Sequence, residues 1–170
     1  RARALRIVRD ICAGIAFLHS KETVHGDLKS ANVLFDSAGR AKIADFGTTR
    51  WAQHTTGLGT YTSRKGKSTQ MSFAWAAPEV FDDGYSTYAS DVYSFGVVVW
   101  EIVTRDIPWS AAVGGQDIYR RVVIKGERPQ IPEDAGDVGD ILRACWAVEP
   151  EKRPTANDIM EGLKPHESSG

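Results

Sequence analysis

The stretch His25-Gly26-Asp27-Leu28-Lys29-Ser30-Ala31-Asn32 puts a carboxylate, an ammonium and an amide into one short loop. It runs on through Val33-Leu34-Phe35, a turn of Asp36-Ser37-Ala38-Gly39, and Ala41-Lys42-Ile43. Short apolar runs on either side of a Gly-containing turn predict a small β-hairpin. The hairpin leads directly into a second acidic motif, Asp45-Phe46-Gly47. Two acidic motifs therefore bracket one hairpin.

Outward from this hairpin the chain reads as mainly helical. Leu5, Val8, Ile11, Cys12, Ile15 and Leu18 recur at helical spacing and predict an amphipathic helix over residues 2–20, with Arg1, Arg3, Arg6 and Arg9 on its solvated side. Residues 48–74 have no sustained periodicity and are rich in Thr, Ser, Gly, Lys and Gln. A polar loop of that length inside a compact domain is functional or disordered. Residues 91–104 are apolar on nearly every side, and their length decides for a central helix over a strand. Residues 117–125 and 140–146 predict two further helices across a Pro- and Gly-rich connection, 126–139. Thr155, with Asp158 three residues on, reads as a capping box before an apolar face of Ile159, Met160 and Leu163. Residues 166–170 read as a frayed tail.

In order along the chain, these segments resemble the signature motifs of the protein kinase family. The 25–32 loop resembles H-R-D-L-K-x-x-N, and Asp45-Phe46-Gly47 resembles D-F-G. Ala77-Pro78-Glu79 resembles A-P-E, which makes 45–79 the activation segment and accounts for the long polar loop. Asp91-Val92-Tyr93-Ser94-Phe95-Gly96 resembles D-V-Y/W-S-F-G, and the run from Cys145-Trp146 to Arg153-Pro154 resembles C-W-x-x-x-P-x-x-R-P. Asp and Asn also favour turns and helix caps. Five motifs in the family's order outweigh that reading.

The resemblance implies a protein-kinase-like α+β fold represented by its C-terminal lobe only, mainly α-helical with a small β-hairpin, over residues 1–165. It implies that Asp27 accepts or orients the proton of a substrate hydroxyl and that Lys29 steadies the γ-phosphate of ATP. It further implies that Asn32 and Asp45 hold Mg²⁺, so that Lys29, Asn32 and Asp45 form the cofactor-binding set. Carboxylate, ammonium and amide must converge on one phosphoryl group, and a single short loop allows that. By the same resemblance His25 packs inward without an acid–base role, Glu79 pairs with Arg153, and Asp91 holds the loop backbone. Lys29 points to Ser/Thr specificity, and the wording of 75–79 and 91–109 is most similar to the tyrosine-kinase-like group. Ser72 takes the place of the hydroxyl residue near the acceptor site.

Two departures from the pattern matter. Gly26 stands where the family carries Arg, the usual partner of an activation-loop phosphate. Among Thr48, Thr49, Thr55, Thr56, Thr60, Tyr61, Ser63, Ser68 and Thr69, none is singled out as a regulatory site. In addition, the sequence contains no glycine-rich phosphate loop with its strand lysine and helix glutamate. Gly57-Leu58-Gly59 lies within the activation segment, and Gly114-Gly115 reads as a turn. The chain is therefore expected to be a fragment, nearly inactive alone, with exposed apolar surface where the missing N-terminal lobe docks. The expected function of the complete protein is Ser/Thr kinase activity on protein substrates. The alternatives are a pseudokinase or a kinase-derived scaffold, or an interaction domain whose open face another chain covers.

Bulk composition agrees with one ordinary domain: 170 residues, 42% hydrophobic and 25% charged. A net charge of -1 argues against nucleic acid as a partner. The longest apolar run, 92–103, is too short to span a membrane and carries Glu101. Cys12 and Cys145 lie in apolar helical patterns and suggest neither disulfide nor zinc site, so a cytoplasmic location is expected.

Overall fold

The computed structural model describes residues 2–45, 50–51 and 73–163. Phe46, Gly47, Ser72, the Gly57-Leu58-Gly59 stretch, the hydroxyl residues of 48–69, Arg1 and the tail lie outside the described residues.

Helix α1, Ala2–Ser20, buries Val8, Ile11, Cys12 and Ile15, the residues its periodicity selects. It packs on α3, Tyr88–Thr104, and on α6, Ala156–Gly162. α3 is the centre of the core, with ten of its residues buried from Ser90 to Trp100. Its start is set by a capping box in which Thr87 accepts from the Ser90 amide and Ser90 Oγ accepts from the Thr87 amide. α5, Asp137–Cys145, closes the core from the other side.

The hairpin forms as expected: β2, Val33–Phe35, pairs antiparallel with β3, Ala41–Ile43, in the register Val33 to Ile43 and Phe35 to Ala41. Asp36 closes the turn by accepting from the amides of Ala38 and Arg40. Asp10 on α1 then accepts from the Ala41 amide and the Arg40 guanidinium, which holds its carboxyl below the usual aspartate range. Gly14 completes the seat. A Cβ there would sit 2.8 Å from Ile43 Cδ1, so the helix approaches the strand only because no side chain intervenes.

Several expectations are corrected. The segment read as a polar loop from 48 contributes a strand, β4, Arg50–Trp51, paired with β1, Thr23–Val24. Gly114-Gly115, read as a turn, instead opens α4, Gly114–Tyr119, which widens into a π-helical turn over Arg120–Ile124. Packing demands glycine at the second position, because a Cβ on Gly115 would fall 2.6 Å from the Phe73 ring. α5 likewise begins at Asp137, inside the expected connection. Arg9 is not purely solvated: its guanidinium donates to the Leu163 carbonyl, a free acceptor at the end of α6. Arg3 and Arg6 remain exposed.

Helix α2, Pro78–Asp83, is tied to the core by the expected ion pair. Arg153 Nη1 and Nη2 reach Glu79 Oε1 and Oε2 at 2.6 and 2.9 Å, a bidentate pair. The guanidinium also donates to the carbonyls of Ala147 and Ala89 and lies over the Tyr93 ring at 5.2 Å, with Arg128 on the same ring at 5.3 Å. The Arg153 side chain is fully buried. Removing one partner of a buried, multiply bonded charge costs far more than an exposed pair contributes. Arg153→Ala is expected to lower unfolding free energy by about 3 kcal/mol, read as a shifted urea midpoint, and a change under about 0.5 kcal/mol would contradict this account.

Candidate active site

The 25–32 loop is built on Asp91, in the first turn of α3, which is only 2% exposed. Its Oδ2 accepts from the His25 amide at 2.8 Å and its Oδ1 from the Gly26 amide at 2.9 Å. His19, at the end of α1, adds a third contact from Nε2 to Oδ2 at 3.0 Å. A carboxylate oxygen only accepts, so this nitrogen carries the hydrogen. Turning two successive amides onto one carboxylate puts Gly26 at φ +78°, a region glycine enters without steric cost.

His25 is fully buried, as the inward-packing reading requires. Its Nδ1 accepts from the Asp27 amide at 3.3 Å while Nε2 faces the Ala44 carbonyl at 3.2 Å. Both contacts are met by the neutral Nε2–H tautomer. His25 thus links the loop to the residue that follows β3, at the open end of the hairpin. With Leu28 also buried, the backbone is pinned on both sides of Asp27.

Asp27 and Lys29 meet above this base, with Lys29 Nζ 2.7 Å from Asp27 Oδ2 and both side chains about one-fifth exposed. Asn32 is buried, and its Nδ2 donates to the Asp27 carbonyl at 2.8 Å, leaving the amide oxygen as the atom able to ligate a hard cation. Asp45 follows β3. The pairing of Val33 with Ile43, extended by a bond from the Ala44 amide to the Asn32 carbonyl at 2.8 Å, brings Asn32 and Asp45 to the same end of the hairpin. Asp45 is exposed and holds φ +60°, a left-handed conformation uncommon outside glycine and found at functional sites. Asp27, Lys29 and Asn32 are thus joined within one loop, and Asp45 lies at the hairpin end beside Asn32.

Sequence reasoning missed three contributors. His19 gave no signal beyond its place at a helix end. Glu101 interrupts an apolar run, which in the sequence speaks only against membrane insertion. Its Oε1 accepts from Ser30 Oγ at 3.0 Å and its Oε2 from the Trp75 indole at 2.8 Å, so the third contributor is Trp75. Burial pushes the Glu101 carboxyl above the usual glutamate range against those two bonds. Both cysteines are buried, with thiols pushed up to about 12, which leaves neither as a nucleophile.

A family profile described as protein tyrosine and serine/threonine kinase matches residues 1–163. The chain belongs to the protein kinase family, and its helices and small antiparallel sheets are those of the C-terminal lobe. It is 34% identical over 96% of its length to the Arabidopsis thaliana serine/threonine/tyrosine-protein kinase HT1 and 38% identical over 96% to the serine/threonine-protein kinase CTR1 of the same plant. It is 39% identical over 94% to the dual specificity protein kinase shkC of Dictyostelium discoideum. These likenesses bear out the similarity to the tyrosine-kinase-like group. The chain spans 40%, 19% and 31% of those three relatives. Among the described residues no helix is long and apolar enough to cross a membrane.

The raised Glu101 pKa fixes the sign of a pH effect. The folded state binds this proton more tightly than the unfolded chain, so the contribution to stability is fullest below the unfolded value and is lost as pH rises through the folded one. Urea midpoints from about pH 4 to about pH 7 are expected to show the native chain losing stability relative to Glu101→Gln as pH rises. A pH-independent difference would refute the assignment.

Proposed function

We propose that the full-length protein transfers the γ-phosphoryl group of ATP to Ser or Thr of a protein substrate, and that residues 1–165 of this chain are the C-terminal lobe of its catalytic domain. What supports this reading is the cluster of Asp27, Lys29 and Asn32 on a loop pinned by Asp91, with Asp45 brought to the same end of the hairpin as Asn32. Asp27 takes the proton of the acceptor hydroxyl as its oxygen bonds to phosphorus and the bond to ADP breaks. Lys29, already on Asp27, offsets charge on the transferred group, and the Asn32 bond to the Asp27 carbonyl keeps that residue in register.

Asn32 and Asp45 supply oxygen donors of the kind Mg²⁺ prefers. Among the described residues no group of three or more His, Cys, Asp or Glu could hold a metal by itself. Such a pair suits an ion shared with substrate phosphates, which is how Mg²⁺ is usually bound. The ion when bound neutralises charge on the phosphate oxygens.

Exposed apolar side chains at Phe17 on α1 and at Leu34 and Phe35 on β2 support an N-terminal lobe as a partner of this chain. Ser/Thr preference rests on Lys29, and a cytoplasmic location on the reduced, buried cysteines.

The test is radiolabelled phosphate transfer by the full-length protein to Ser, Thr and Tyr peptides. Asp27→Ala is expected to slow transfer by about 10² to 10⁴-fold. Equal rates would remove Asp27 from the chemistry, and no transfer by the native protein would leave the scaffold reading in its place. The sequence encoded before Arg1 offers a second check: a glycine-rich loop and strand lysine are expected there, and their absence would defeat the enzyme reading.

A further inference from the structure

The β2–β3 hairpin has only three residues in each strand, and a two-stranded hairpin by itself is marginal at best in water. Its support comes from α1, at two residues four apart and therefore on one face of the helix, Asp10 and Gly14. Gly14 lets Ile43 come down onto the helix. Asp10 acts by hydrogen bonding. Its Oδ2 accepts from the Ala41 amide at 3.1 Å, so the first amide of β3 finds its acceptor on α1 rather than on β2. The same carboxylate accepts from Arg40 Nε at 3.0 and 2.9 Å. The Arg40 side chain is 55% exposed and that of Asp10 only 5%, so the ion pair itself contributes little and the bond to the strand amide is the protected one.

The strand held in this way leads to one of the two oxygen donors. Ala44, the residue after β3, bonds through its amide to the Asn32 carbonyl and faces His25 through its carbonyl, and Asp45 comes next. A strand fixed only at Ala44 could swing about that point, and the swing would turn the residue that follows. Asp10 supplies the second fixed point, at the other end of β3, and two points define a direction. Asn32 is held independently, by its bond to the Asp27 carbonyl. Mg²⁺ demands near-ideal octahedral geometry, so two donors carried on separately held segments serve one ion only if both segments are aimed.

We propose that Asp10 is a positioning residue: by holding the Ala41 amide it sets the direction of β3, and through it the placement of Asp45 against Asn32 for a shared divalent cation. The consequence for the cation rests on the kinase reading above; the hold on β3 does not.

Both are tested on the full-length protein. Hydrogen exchange is read on the Ala44 amide and, as a control for global stability, on the buried amides of α3. Cation affinity is read with Mn²⁺ in the presence of ADP, from the paramagnetic resonance of the free ion. Asp10→Ala removes the acceptor, Asp10→Asn keeps a side-chain oxygen for the Ala41 amide, and Arg40→Ala leaves the carboxylate in place. Asp10→Ala is expected to speed Ala44 exchange and to weaken Mn²⁺ binding, each about tenfold, as fits a lost hydrogen bond to a charged group, with the α3 amides unchanged. Asp10→Asn is expected to recover most of both, and Arg40→Ala to stay within about twofold of the native protein. The slowed phosphate transfer of Asp10→Ala is expected to recover as Mg²⁺ is raised, which a loss of folded protein would not do. Unchanged Ala44 exchange in Asp10→Ala, acceleration spread equally into α3, or an equal effect in Arg40→Ala would each overturn the hold on β3. Faster Ala44 exchange with unchanged Mn²⁺ affinity would overturn the link to the cation. If the native protein binds no Mn²⁺ with ADP, the kinase reading fails while Ala44 exchange still decides the hold on β3.

Discussion

The structure depends on one buried carboxylate. Asp91 sits in the first turn of the most buried helix, and three donors from two other segments converge on it: His19, the His25 amide and the Gly26 amide. A charge in that position is tolerated because its oxygens are satisfied by hydrogen bonds and because the N-terminal end of a helix favours negative charge. In return the loop backbone is referenced to the rigid core rather than to solvent. Two consecutive amides aimed at one group force the chain to turn at residue 26, and that turn presents Asp27 outward. The loop is thus preorganised before any substrate arrives, which is the condition electrostatic catalysis requires.

α3 extends the same device along its length. Asp91, Ser94 and Glu101 fall on one stripe at helical spacing, on a helix otherwise committed to the core. Each fixes an irregular segment: Asp91 the loop at 25–26, Ser94 the Trp75 carbonyl, Glu101 both Ser30 and the Trp75 indole. Trp100 adds the connection after α4 by donating to the Gln130 carbonyl at 2.7 Å. Irregular backbone cannot satisfy itself through its own ladder, so it borrows order from polar side chains on a packed element. The Glu79–Arg153 pair does the same for α2, with Tyr93 between two guanidinium groups as its floor.

How much of this the sequence discloses follows from the kind of contact involved. Periodicity locates α1 and α3 because each buries a wide apolar face, and turn chemistry locates the hairpin because Asp36 acts on its own near neighbours. Motif order brings Asp27, Lys29, Asn32 and Asp45 into view, and the hairpin register then sets Asn32 and Asp45 at one end of the hairpin. The pairing of β1 with β4 stays hidden, because two-residue strands carry no alternation to read. The opening of α4 stays hidden for another reason: glycine disfavours helix locally, and the Phe73 ring that requires Gly115 comes from a distant part of the chain. His19 and Glu101 are missed because their roles depend on partners about 70 residues away, and local pattern has no access to those distances.

Gly26 shows how the two levels meet. Read alone, it is a departure that removes a guanidinium and with it the usual receptor for a phosphate on the activation segment. Seen in place, it occupies a left-handed turn with φ +78° and gives its amide to Asp91. Any residue with a Cβ meets a steric cost in that conformation, of order 1 kcal/mol, and glycine does not. The substitution therefore gives up a long-range electrostatic handle and relaxes the backbone on which Asp27 depends. With glycine at this position, the loop takes its shape from hydrogen bonds to Asp91, His25 and Asn32.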